Sequence, residues 1–154
     1  MSDRLCKQIA VEQELINRLL EEHRPLVNKC ATEAPDAIER SALAAMLHSF
    51  YTGIENVFRR IAIECDGYSP DGDTWHRDLL DAMARPTESR PAVISQNLHD
   101  ALRDYLGFRH MFRYLYSINL RWDRMAGLVL GVEAVWQQAS AEFQAFLNAR
   151  RQGQ

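Results

Sequence analysis

The chain's most reactive side chains are concentrated in one stretch, Arg103-Asp-Tyr-Leu-Gly-Phe-Arg109-His110-Met-Phe-Arg113-Tyr114-Leu-Tyr116. At about 100° per residue, Arg109 falls in the middle of a helical stripe made by Leu98, Leu102, Tyr105, Phe112 and Tyr116. A guanidinium on an apolar face is costly unless it meets a counter-charge or opens into a cleft. Arg113 lies at the edge of the same face. Between Arg103 and Arg124 five arginines stand against two aspartates, so this region is cationic within a chain of net charge -3. Two readings fit. Either a carboxylate from a neighbouring helix or subunit neutralises Arg109, or Arg109 and Arg113 present planar donors to phosphate oxygens.

Other chemistry-bearing residues are sparser. There is no P-loop, GxGxxG or GxSxG motif, and the Glu-x-x-His pairs of di-iron bundles are absent. Asp71, Asp73 and His76 are close enough in sequence to hold a cation weakly, but they lack the ligand spacing of an EF-hand. No metal and no cofactor is therefore expected. His48 and Glu55 lie seven residues apart, roughly opposite the apolar stripe of their helix, and Glu55 forms an i,i+4 pair with Arg59. That pattern predicts a solvated face.

The elements that must position these residues are helical almost throughout. Ile9, Ile16, Leu19, Leu20, Leu26 and Val27 give helical spacing from Arg4 to Ala31, with Pro25 expected to kink or interrupt it. Asp36 and Glu39 form a capping-box pattern ahead of Leu43, Leu47, Phe50, Ile54, Val57 and Ile61, a long core helix ending near Cys65. A loop over 66–74 leads to a short helix over 75–84, capped by Asp73 or Thr74. The linker 85–91 has proline near both ends, and Ser95 caps the helix that carries Arg109. Asn119 is the expected start of a last helix with Leu128, Val132, Val135, Ala139, Phe143 and Phe146 in its stripe. No segment alternates long enough for a strand. The fold class is all-α: an antiparallel helical bundle of four long helices and one short one.

Composition agrees. A chain of 154 residues, 47% hydrophobic and 25% charged, is sized for a single domain over 1–154. The negative net charge excludes a globally basic nucleic-acid binder but leaves local asymmetry open. Sixteen of the eighteen cationic residues are Arg, compatible with phosphate contacts, interface ion pairs or a GC-rich genome. No apolar run approaches the ~20 residues of a membrane span. The charged N-terminus MSDRLCKQIAVEQEL is unlike a secretory signal, and Cys6, Cys30 and Cys65 show no CxxC spacing. Free thiols and a cytoplasmic location are expected.

The stretch FRHMFRYLY (108–116) resembles the Arg-x4-His-x-Tyr signature of HEPN-domain proteins, specifically HepT and HepT-like domains. The similarity extends to HSFYTGIENVFRRIAIECDG (48–67), WHRDLLDAM (75–83) and RPAVIS (90–95), and is weak in the first helix. The resemblance implies a helical bundle that dimerises so that two copies of the signature line one cleft. It also implies a metal-independent RNase of a toxin–antitoxin pair, partnered by a minimal nucleotidyltransferase antitoxin that adds AMP to the motif tyrosine. By position, Arg109 would hold the scissile phosphate and Tyr116 would be the modified tyrosine; Arg113, at the edge of the same face, is the second candidate phosphate contact.

Tyr114 occupies the place of the motif histidine. Metal-free RNA cleavage needs a base for the 2′-OH proton and an acid for the leaving oxygen, roles imidazole fills near neutrality. Phenol, with a pKa near 10, is a poor base at pH 7 but donates a hydrogen bond. His110 adjoins Arg109 and is the candidate substitute, although on an ideal helix it points about 100° away. Three readings remain open: a HepT-like RNase using Arg109, His110 and Tyr114; a non-catalytic module binding RNA, nucleotide or a nucleotidyltransferase; and a structural dimeric bundle.

Overall fold

In the computed structural model, which describes residues 3–113 and 119–153, every regular element is helical. Five α-helices follow in order: α1 (Asp3–Cys30), α2 (Ala37–Ile61), α3 (Trp75–Met83), α4 (Gln96–Phe112) and α5 (Trp122–Gln152). A π-helical turn, Ala62–Asp66, continues α2 and ends at Gly67, whose φ of 80° is left-handed. Four helices are long and α3 is short.

Cross-helix pairs fix the directions. Gln13 bonds Ser140, Asn17 bonds Trp136 and Arg24 bonds Glu133, so α1 and α5 run antiparallel. Glu12 meets Arg60 while Lys29 meets Glu39, which sets α1 against α2. Tyr105 donates to the Leu128 carbonyl and Ser95 to Glu142, which sets α4 against α5. The result is an up-down-up-down bundle with α2 packed against all four other helices. At Gly53 an added Cβ would come within 2.8 Å of Ile16 Cγ1, so the glycine permits the close approach of α1 to α2.

Local signals explain most helix ends. Asp36 accepts from the Glu39 amide and Glu39 accepts from the Asp36 amide, a complete capping box. Ser95 Oγ accepts from the Leu98 amide. Three features differ from expectation, one inside a helix and two at helix starts. Helix α1 runs through Pro25 without interruption; Glu21 and Pro25 are both exposed, so the carbonyl that loses its donor faces water. Thr74 sits at the N-cap of α3, but its hydroxyl donates to Asp78 instead of capping the backbone. Helix α5 starts at Trp122 rather than Asn119, with buried Leu120 and Met125 at the two positions of a hydrophobic staple.

The three cysteines are unpaired. No helix among the described residues is long and apolar enough to cross a membrane.

Candidate functional site

Helix α3 brings the site together. His76, Leu79, Leu80 and Met83 all lie on its buried face, so the histidine enters the core at the first turn while three apolar side chains anchor the rest. The far end of α3 is locked from outside. The amides of Val93 and Ile94 donate to the Met83 carbonyl, and the fully buried Arg90 guanidinium grips Asp66 through Nε and Nη2, each at 2.9 Å. Arg90 also donates to the carbonyls of Ala82, Arg85 and Pro91. His99 of α4 adds a second tie at 2.6 Å to Asp81 of α3.

Held this way, His76 Nδ1 lies 2.7 Å from Glu55 Oε2 on α2, and both residues are buried. A carboxylate oxygen can only accept, so Nδ1 carries the proton and donates. In the neutral ring, Nε2 is then the free lone pair. Arg109 Nη1 lies 3.4 Å from that Nε2 and 3.5 Å from Nδ1, so the guanidinium rests against the imidazole ring. Trp75 stacks on the His76 ring with centroids 3.6 Å apart, and Arg59 lies over Trp75 at 5.2 Å. The imidazole is thus held by a carboxylate, an indole and a guanidinium.

Arg109 itself is half-buried. Among the described residues it forms no ion pair, and its buried Nε has no hydrogen-bond partner. An unsatisfied buried donor costs about 1–3 kcal/mol. Of the readings the sequence left open, a direct pair with a carboxylate from a neighbouring helix is not found among the described residues: Glu55, the nearby acid, is bonded to the His76 ring.

His110 is exposed, yet its ring meets the His76 ring edge-on at 5.5 Å. Burial first, then the charges of His76, Arg109 and Arg113, hold its pKa below the ordinary histidine value. His48 is half-buried on α2, 5.7 Å from Phe112, and is lowered by burial and then by Arg109 and Arg113. A cavity of about 250 Å³ opens beside this group, walled by His76, His110, Asp81, Arg103 and Leu106.

The structure therefore brings Arg109 and His110 into one cluster with His76. Arg113 caps the C-terminus of α4 and is exposed. Tyr114 and Tyr116 lie outside the described residues. Glu55 is not on a solvated face: it is 4% exposed and bonded to His76 rather than turned to Arg59. His76 is likewise not grouped with Asp71 and Asp73, since its ring turns inward while both aspartates are exposed. Among the described residues no three His, Cys, Asp or Glu side chains are grouped to hold a metal ion.

The burial of Glu55 and His76, which the sequence reading missed, had a signal in the sequence. His76 precedes Leu79, Leu80 and Met83 by three, four and seven residues, which places it on the apolar face of α3. Glu55 shares a second stripe with Tyr51, Phe58 and Ala62, all buried, because α2 is enclosed on nearly every side.

The all-helical bundle, with an arginine–histidine cluster at the end of its fourth helix, has the form of a HEPN-type domain. A family model described as HepT-like protein matches residues 42–150, well over half of the chain, and the chain belongs to that family. The match runs from α2 to α5 and includes Glu55, His76 and Arg109. Comparison with curated proteins and with solved structures finds no match.

Proposed function

We propose that this chain is the toxin-type member of a HepT–nucleotidyltransferase pair, a metal-independent endoribonuclease acting as a homodimer in the cytoplasm. Arg109 binds the scissile phosphate, Arg113 adds a second cationic contact, and His110 and Tyr114 flank the reacting groups. The cognate minimal nucleotidyltransferase silences the site by adding AMP to Tyr116. The modification places bulky anionic phosphate in a cationic cleft and excludes RNA by repulsion and occlusion.

One observation carries this reading: a half-buried guanidinium without an ion pair among the described residues, beside two histidines that line a cavity. A cation in that setting is poised for an external anion. Family membership adds support, since HepT-like proteins are associated with toxin–antitoxin pairs.

The test is RNA degradation by the purified chain in EDTA. Cleavage that disappears in Arg109→Ala supports the proposal, and intact RNA at every pH between about 5 and about 9 rejects catalysis. A second reading, RNA or partner binding without turnover, is favoured by Tyr114 at the motif histidine position. It predicts salt-sensitive binding with no product. Mass spectrometry of the chain co-expressed with its neighbouring nucleotidyltransferase tests Tyr116 for added AMP.

A further inference from the structure

The departure at Tyr114 raises a chemical question that the fold answers. Metal-free cleavage of RNA requires a base for the ribose 2′-OH, and a phenol near pKa 10 does not supply one at neutral pH. Three histidines stand near Arg109: His48, His76 and His110. They differ in how their rings are held.

Among the described residues, no carboxylate bonds a ring nitrogen of His48 or His110. His76 does. Its Nδ1 donates to a buried glutamate at 2.7 Å, its ring is clamped against Trp75, and the guanidinium assigned to phosphate lies against the same ring, with Nη1 3.4 Å from Nε2 and 3.5 Å from Nδ1. A carboxylate that orients an imidazole through Nδ1–H leaves Nε2 as the proton-accepting site, the same logic that serves hydrolytic triads on unrelated folds. The residues come from three different helices, α2, α3 and α4.

We propose that the Glu55–His76 dyad supplies the general base that the position of Tyr114 lacks, with His76 as the catalytic residue and Glu55 as its positioning residue. The proposal rests on the ribonuclease reading above and specifies its chemistry. In this scheme a phosphodiester held by Arg109 brings the adjoining ribose to Nε2 through the cavity that His76 and His110 line. Nε2 takes the 2′-OH proton as the 2′ oxygen forms its bond to phosphorus. The bond from phosphorus to the 5′ oxygen breaks, and that oxygen takes a proton from water. The products are a 2′,3′-cyclic phosphate and a 5′-hydroxyl end. His76 then returns its proton to solvent.

The experiment uses the purified full chain in EDTA with a randomised oligoribonucleotide pool for cleavage. The 2′-O-methyl version of the pool, which cannot react, measures affinity. His76→Gln is expected to lower kcat at least about 100-fold, and Glu55→Gln about 10-fold. Both variants should bind the 2′-O-methyl pool within about threefold of the parent, whereas Arg109→Gln should lose affinity. Mass spectrometry should find cyclic phosphate ends.

Since a variant in the core can fail to fold, nitrogen NMR of the histidine-labelled parent gives an independent readout. The neutral His76 ring should carry its proton on Nδ1, and Glu55→Gln should alter that signal. A proton on Nε2, or cleavage by His76→Gln at the parental rate, overturns the dyad while leaving the ribonuclease reading intact. A parent chain that leaves the pool uncut overturns both.

Discussion

Glu55 and His76 meet at 2.7 Å inside the bundle, although a π-helical turn and a long loop separate them in the chain. The pair places a carboxylate and an imidazole where neither is stable alone. Each desolvates the other, and each supplies the partner that burial demands. Their mutual dependence is measurable. Glu55→Gln and His76→Phe should each destabilise the fold by about 1–3 kcal/mol. The double variant should lose less than the sum by at least about 1 kcal/mol, as groups in direct contact do. Strict additivity in a denaturant cycle would mean that the contact carries no free energy.

The loop that returns from α3 to α4 is held by a second buried pair. The Arg90 side chain is fully enclosed, and its two bonds to Asp66 join the end of the π turn to the loop. Asp66→Asn leaves that guanidinium buried without its counter-charge. The expected loss is about 3–5 kcal/mol. Because α3 carries His76, hydrogen exchange in α3 should accelerate more than exchange in α1. Equal acceleration across the bundle would show that the latch stabilises the whole molecule and not this helix in particular.

How much of this was legible in the sequence depends on the number of faces a helix buries. Helices with one buried face, such as α1, were readable from periodicity, and the Asp36 and Ser95 caps from their side-chain chemistry. Helix α2 was only half readable. Leu43, Leu47, Phe50, Ile54, Val57 and Ile61 form a clean stripe, but the enclosed helix also buries Tyr51, Glu55 and Phe58, and a charge off the main stripe looked solvated. At the site, Arg109 was visible as a cation on an apolar face. Its contact with His76 was not, because His76 lies 33 positions away and only the packing of α3 sets that distance.

The two lowered histidines fix a pH dependence. His48 and His110 are both held below 6.5, chiefly by burial, so the unfolded chain takes up protons before the native one. As pH falls through 6.5 stability declines, and the decline from these groups ends below their depressed native values. The melting temperature should therefore drop between about pH 7 and about pH 5. His48→Gln combined with His110→Gln should flatten that slope. An unchanged slope in the double variant would assign it to other groups.

Tyr51 gives an opposite kind of test. It is fully buried in α2, burial pushes its hydroxyl well above the ordinary phenol range, and that hydroxyl has no hydrogen-bond partner among the described residues. Replacing it by Phe keeps the ring and removes the stranded polar atom. Tyr51→Phe should raise stability by about 1 kcal/mol, read from the shift of the denaturation midpoint. A loss of that size would show instead that the hydroxyl is bonded.

Arg109 separates a functional from a structural role most directly. A structural arginine loses stability when truncated, because its partner is left unpaired. A guanidinium kept for an external anion behaves otherwise, since the folded state carries an unsatisfied buried donor that the variant removes. Arg109 has no ion pair among the described residues, and its stranded buried Nε offsets the Nη1 contact with His76 that the variant also removes, so Arg109→Met should leave stability within about 1 kcal/mol of the parent. The methionine preserves much of the apolar stem, which limits packing loss. The same variant should abolish RNA binding and cleavage, and polyanions should raise the melting temperature of the parent alone. A destabilisation of several kcal/mol would place Arg109 among the struts of the bundle and withdraw its assignment to phosphate.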